Sequence, residues 1–216
     1  MPFSTLITLF KNWADDLLNS AQYLPITVTT AIALFVIKEV LDHKRKGRER
    51  LRKLNAIKLL LSQELEKNYW ALISFFRVLV EIKEAKIESP NAVFRLHVAR
   101  NGSEHFRIKN EPEDENEQGI WIANFHTTLY EKHIATLAEY DEVLYQKVNA
   151  AYEDIFELIH YRETLTSFLA GESDDPIDLT RWFLADMASE KKDYYNQLSN
   201  SYRTLTGKDL KDWRLR

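Results

Sequence analysis

Five basic side chains crowd one short stretch of the chain: Arg95, His97, His105, Arg107 and Lys109. They alternate with Phe94, Leu96, Val98, Phe106 and Ile108, and Asn101-Gly102 lies between the two runs. Period-two alternation about a turn signal predicts a β-hairpin with one apolar and one basic face. A three-residue loop, Asn101-Gly102-Ser103, pairs Arg100 with Glu104, Val98 with Phe106 and Leu96 with Ile108. In that register His97 lies opposite Arg107, and Arg95 opposite Lys109. Like charges directly across a ladder repel, so something must offset them. Solvent, the nearby Glu113, Asp114, Glu115 and Glu117, or an anionic ligand would serve. Arginine's planar fork suits phosphate oxygens, and Trp121 or a Phe can stack on a base. These five basic residues are therefore the candidate ligand-binding set, for an anion or a nucleotide.

Other chemistry is sparse. The 216-residue chain has no Cys, which removes disulfides, thiolate catalysis and Cys-based zinc sites. No HExxH, P-loop, GxGxxG or GxSxG pattern occurs. The six His are scattered, and His126 and His133 have no evident third ligand. No catalytic residue, metal or cofactor is expected. The net charge of −4 is not that of a nucleic-acid-binding polycation, so no double-stranded DNA partner is expected.

The elements that must position the hairpin are helical. Only five Gly and five Pro interrupt the chain, which favours long helices. Residues 1–20 form an amphipathic segment through Phe3, Leu6, Phe10, Trp13 and Leu17. Residues 21–42 are expected to be a transmembrane helix, since Ile26 through Ile37 carries no charge and the stretch approaches the ~20 residues of a span. Seven Lys/Arg follow between Lys44 and Lys53. They suggest juxtamembrane contact with anionic lipid heads, and a single-pass inner-membrane protein with its N-terminus outside and its C-terminal domain cytoplasmic. Residues 43–90 hold that basic stretch and a long amphipathic helix with the stripe Leu54, Ile57, Leu61, Leu65, Leu72, Phe76, Leu79, Ile82. Ser89-Pro90 ends it.

Residues 91–125 hold the hairpin and an acidic loop, with Ile120-Trp121-Ile122 as a third strand or a lead-in to the next helix. Residues 126–216 are a C-terminal helical region. Thr128 and Glu131 have capping-box spacing. Beyond them runs a heptad pattern: Tyr130, Leu137, Leu144, Ala151, Leu158 and Leu165, with Ile134, Asp141, Val148, Ile155, Arg162 and Leu169. Only Asp141 and Arg162 break it. One long helix, or two joined, in a bundle or coiled coil is expected, and with it a homo-oligomer. A last helix spans about Pro176 to Leu205. The fold class is mainly α: a transmembrane helix, then a helical bundle or coiled coil with a β-hairpin insertion.

This layout, with the basic hairpin from Arg95 to Lys109, loosely resembles nucleotide-gated membrane effectors of bacterial antiphage and CRISPR defence. The resemblance implies a non-enzymatic sensor that binds a cyclic oligonucleotide and signals to a lipid bilayer. Separately, Arg100, Asn101 and His105 match R-N-x-x-x-H, which looks like the motif of HEPN ribonucleases. That resemblance implies RNA cleavage by an Arg and a His on one helix. A third expectation is a structural membrane scaffold acting through its helices alone.

Overall fold

The computed structural model describes residues 25–89, 92–109, 118–171 and 193–211, together with Asn12 and Asp15. The described elements are helix α1 (Ile26–Glu88), strands β1 (Val93–Val98), β2 (Glu104–Lys109) and β3 (Gln118–Trp121), and helices α2 (Thr128–Tyr140) and α3 (Glu142–Leu169). Residues 193–206 form a further helical stretch, α4. The chain divides into two compact units, Met1–Lys53 and Leu54–Arg216.

Within Met1–Lys53, the expected transmembrane helix is not supported. No helix among the described residues is long and apolar enough to cross a membrane. The physical reason is length. Within helix α1 the uncharged run is Ile26–Ile37, 12 residues before Lys38, Glu39 and Asp42 intervene. At 1.5 Å per residue that run covers about 18 Å, against about 30 Å of hydrocarbon. Thr27, Thr29 and Thr30 lower its hydrophobicity further, although the Thr30 hydroxyl donates back to the Ile26 carbonyl at 2.8 Å. The membrane anchor, the single-pass inner-membrane placement and the orientation drawn from the charged flank fall with it. The amphipathic helix expected over residues 1–20 lies outside the described residues, apart from Asn12 and Asp15.

Within Leu54–Arg216, the apolar stripe of α1 does what its spacing predicts. Ile57, Leu61, Leu65, Leu72, Phe76, Leu79 and Ile82 are buried, with Tyr69, Phe75 and Val78 beside them. Helix α1 ends at Glu88, one residue before Ser89-Pro90. The heptad region is two helices joined at Asp141, whose carboxylate accepts a hydrogen bond from the Leu144 amide at 3.0 Å and so caps α3. Leu137, Leu144, Val148, Ala151, Ile155, Leu158, Leu165 and Leu169 all join one core with α1. Their stripe is thus covered within the chain, and by itself it gives no ground for an oligomer. Of the expected last helix, 193–206 is helical and buries Tyr194, Leu198 and Leu205; Trp182 and Phe183 lie outside the described residues.

The three strands form an antiparallel sheet in the order β1-β2-β3. Ile120-Trp121 is therefore strand, not a lead-in to α2. Phe106 and Ile108 are buried, and Phe94, Leu96 and Ile120 pack partly against the same core. Phe94 and Phe106 stack with ring centroids 5.6 Å apart.

Candidate functional site

The hairpin register differs from the expected one, and the difference changes which basic residues face each other. The turn occupies Ala99–Ser103. The Ala99 amide donates to the Ser103 carbonyl at 2.8 Å, and the Gly102 amide to the Ala99 carbonyl at 2.9 Å. Gly102 sits at φ +78°, a conformation glycine adopts without steric cost. The Asn101 side chain accepts from the Ser103 amide at 3.1 Å and from its hydroxyl at 2.6 Å. These local bonds draw Ala99 and Arg100 into the turn, so the ladder starts at Val98 opposite Glu104. Each residue's partner moves by two positions, and a shift of two leaves the faces unchanged.

The expected pairs His97–Arg107 and Arg95–Lys109 are accordingly replaced. Arg95 lies opposite Arg107, His97 opposite His105, and Lys109 opposite Val93. Strand β3 extends two of these rows, placing Gly119 beside Arg107 and Trp121 beside His105. One sheet face thus carries the row Arg95, Arg107, Gly119 and the row His97, His105, Trp121. Lys109 stands on the next row of that face. Arg95, His97 and Trp121 are exposed, Trp121 to 54%, while His105, Arg107 and Lys109 are half-buried. The His97 and His105 rings are 6.5 Å apart. The structure therefore brings all five candidate residues to one face and adds Trp121 to them. Arg107 and Lys109 also engage partners within the chain. The acidic run 113–117 lies outside the described residues.

Glu104, the carboxylate within β2, belongs to the opposite face. Arg162 of α3 forms an ion pair with it and also donates to the Ala123 carbonyl at 3.0 Å. Arg162, one of the two residues that interrupt the heptad stripe, thereby fixes the sheet against α3. The other, Asp141, caps α3 and lies 4.0 Å from the Lys58 ammonium.

Arg100 and Asn101 stand in the turn and His105 on β2, so R-N-x-x-x-H does not lie along a helix as the ribonuclease resemblance implies. The His105 ring faces the Ser103 hydroxyl at 3.4 Å, at the edge of hydrogen-bonding range. Among the described residues no group of acids and histidines is arranged to hold a metal ion.

A second polar cluster was not singled out from the sequence. Glu64, only 2% exposed, accepts from the Leu129 amide at 2.8 Å, the Tyr130 amide at 2.9 Å and the Tyr152 hydroxyl at 2.8 Å. One turn on, fully buried Asn68 exchanges two bonds of 2.7 Å with the backbone of His126. The first turn of α2 is therefore capped from α1, across the core, and Thr127 makes no side-chain cap bond. Its hydroxyl instead donates to Glu131 at 2.7 Å, so the expected capping box is replaced by a tertiary one. Burial raises the Tyr152 phenol above its ordinary value, and its hydrogen bond to Glu64 adds to the shift. The Tyr130 phenol is raised mainly by burial. The two rings stack at 4.0 Å. With every donor matched to an acceptor, this cluster holds the fold together and has no open position for a substrate. The i, i+4 spacing of Glu64 and Asn68 inside an apolar stripe was its one visible signal.

No protein-family model, curated protein or solved structure matches this chain.

Proposed function

We propose that this protein is a non-enzymatic binding module for a phosphate-bearing anion, held on the exposed sheet face by Arg95, His97, His105, Arg107 and Lys109. The observation that supports it most is the register, which sets Arg95 directly opposite Arg107 and His97 opposite His105. Like charges facing across a ladder destabilise a hairpin. An anion bridging the two strands turns that repulsion into attraction, with arginine forks able to grip phosphate oxygens in pairs. The apolar face opposite is anchored in the core and Arg162 pins the start of β2, so the cations are presented from a stiff platform. Of the resemblance to nucleotide-gated effectors, only the nucleotide-binding half is carried forward. Its membrane half lacks a spanning helix among the described residues.

The experiment is calorimetric titration with inorganic polyphosphate. Arg95→Ala with Arg107→Ala should weaken binding by tenfold or more, with the fold kept by circular dichroism. Equal affinity in the double variant, or no binding by the unaltered protein, sinks the reading.

A second reading, a scaffold that assembles copies of this chain, has one observation in its favour. Leu34, Phe35, Ile37 and Leu41 are all more than half exposed on α1. Burying such side chains contributes roughly 1.5–3 kcal/mol each. A sedimentation coefficient that stays constant from low to high protein concentration, at the monomer value, rules it out.

A further inference from the structure

Resting on the anion-binding reading above, we propose that the sheet face takes single-stranded nucleic acid, with a base stacked on Trp121 and adjoining phosphates on Arg95, Arg107 and Lys109. Three features converge. The first is Trp121 itself. The residue is more than half exposed on the basic face, and its indole makes no ring contact among the described residues. An exposed aromatic flanked by cations on an antiparallel sheet offers both parts that a nucleotide strand needs, a stacking surface and charge.

The second is Gly119. Glycine inside a strand weakens it, and such a residue usually answers a need of the backbone or of a close neighbour. Among the described residues neither need is met at Gly119. The glycines with positive φ are Gly102, Gly171 and Gly207. A Cβ on Gly119 would meet no atom within 4 Å among the described residues. What the missing side chain does provide is a flat floor beside Arg107 and next to Trp121 on the same face, open to a planar ring.

The third is spacing. Successive rows on one face are two residues apart, about 6.8 Å. The Trp121 row, the Arg95–Arg107 row and the Lys109 row therefore repeat at a step that one nucleotide unit can bridge. Three strands make a platform about 10 Å wide, room for one strand of nucleic acid. The bases of a duplex are already stacked and cannot reach the indole.

The test uses the full chain and two probes, a short labelled oligothymidylate and inorganic polyphosphate, which has the charge without the rings. Binding is followed by anisotropy and by tryptophan fluorescence. The oligonucleotide should bind and quench fluorescence, and the quench should vanish in Trp121→Ala. That variant should lose about tenfold or more in oligonucleotide affinity and keep its polyphosphate affinity. Gly119→Val should weaken oligonucleotide binding to a similar degree while keeping or raising the melting temperature, since valine favours strand. A purely structural role for Gly119 would not separate the two readouts. If both variants bind the oligonucleotide as the unaltered protein does, or if a duplex of the same length competes equally, the stacking proposal fails and anion binding stands. If neither probe binds, the anion-binding reading fails with it.

Discussion

At the scale of single residues, Glu64 holds the most concentrated stake in the fold. Its carboxylate receives two amides from the first turn of α2 and one phenol, the Tyr130 amide and the Tyr152 phenol within the core. Glu64→Ala leaves three donors unmatched, two of them buried, and an unmatched buried group costs about 1–3 kcal/mol. A loss of about 3 kcal/mol or more is expected in urea unfolding. Tyr152→Phe removes one of the three donors and should cost about 1–2 kcal/mol. Asp154 acts in the opposite sense. Burial, with Glu157, Glu153 and Asp193 nearby, raises its carboxyl from 3.8 to about 6. The folded state therefore holds the proton more tightly than the unfolded chain between those values, and stability falls as pH rises through that window. Asp154→Asn should stabilise the protein at pH 7, by under about 1 kcal/mol because water screens part of the repulsion. The gain should shrink to nothing as pH is lowered from 6 to 4. Paired melting curves at pH 7 and pH 4 check it.

At the scale of elements, Arg162 ties the sheet to α3. Arg162 pairs with Glu104 at the start of β2 and donates to the carbonyl of Ala123, just past β3. Arg162→Ala strands a half-buried carboxylate and should cost about 2 kcal/mol. Hydrogen exchange should then speed up in β2 and β3 well before it changes in α3. Equal acceleration throughout would mean that the sheet and helix open as one unit. The hairpin shows how far local pattern reaches. Alternation of Arg95 to Val98 with His105 to Lys109 settles which side chains share a face, because that depends only on parity. It does not settle partners, because those depend on how many residues the turn absorbs. That number was decided by the Asn101 side chain and the two backbone bonds that close Ala99–Ser103.

At the scale of the whole molecule, charge is distributed unevenly. The chain is net negative at −4, yet the sheet face gathers two arginines, a lysine and two histidines. A net negative protein repels a polyanion at long range, so binding at this face would rest on its local charges alone. Its range in salt should therefore be short. Polyphosphate affinity should fall between 50 and 200 mM salt with a slope set by only two or three displaced counterions. A steep slope, of the size given by many contacts, would place the binding elsewhere, with the seven Lys/Arg of Lys44–Lys53 the first alternative to examine.

Sequence alone determined the helical class, the apolar stripe of α1, its end at Glu88, the existence of the hairpin and the membership of its two faces. Each of these follows from the period of neighbouring residues, which is a local property. It misjudged Ile26–Ile37 as the core of a membrane span, because charge asymmetry at its flank stood in for an apolar length that helix α1 does not have. It took Asp141 and Arg162 for blemishes in a stripe and passed over Glu64 and Asn68. Only the tertiary structure gave those four residues their partners. A polar residue in an apolar stripe is either a defect or a clasp, and the difference lies in backbone donors and acceptors that are distant in the chain. The same holds for the candidate site. Arg95, His97, His105, Arg107 and Lys109 were legible as a basic set, but the third strand had to pair with β2 before Trp121 and Gly119 could join them on one face.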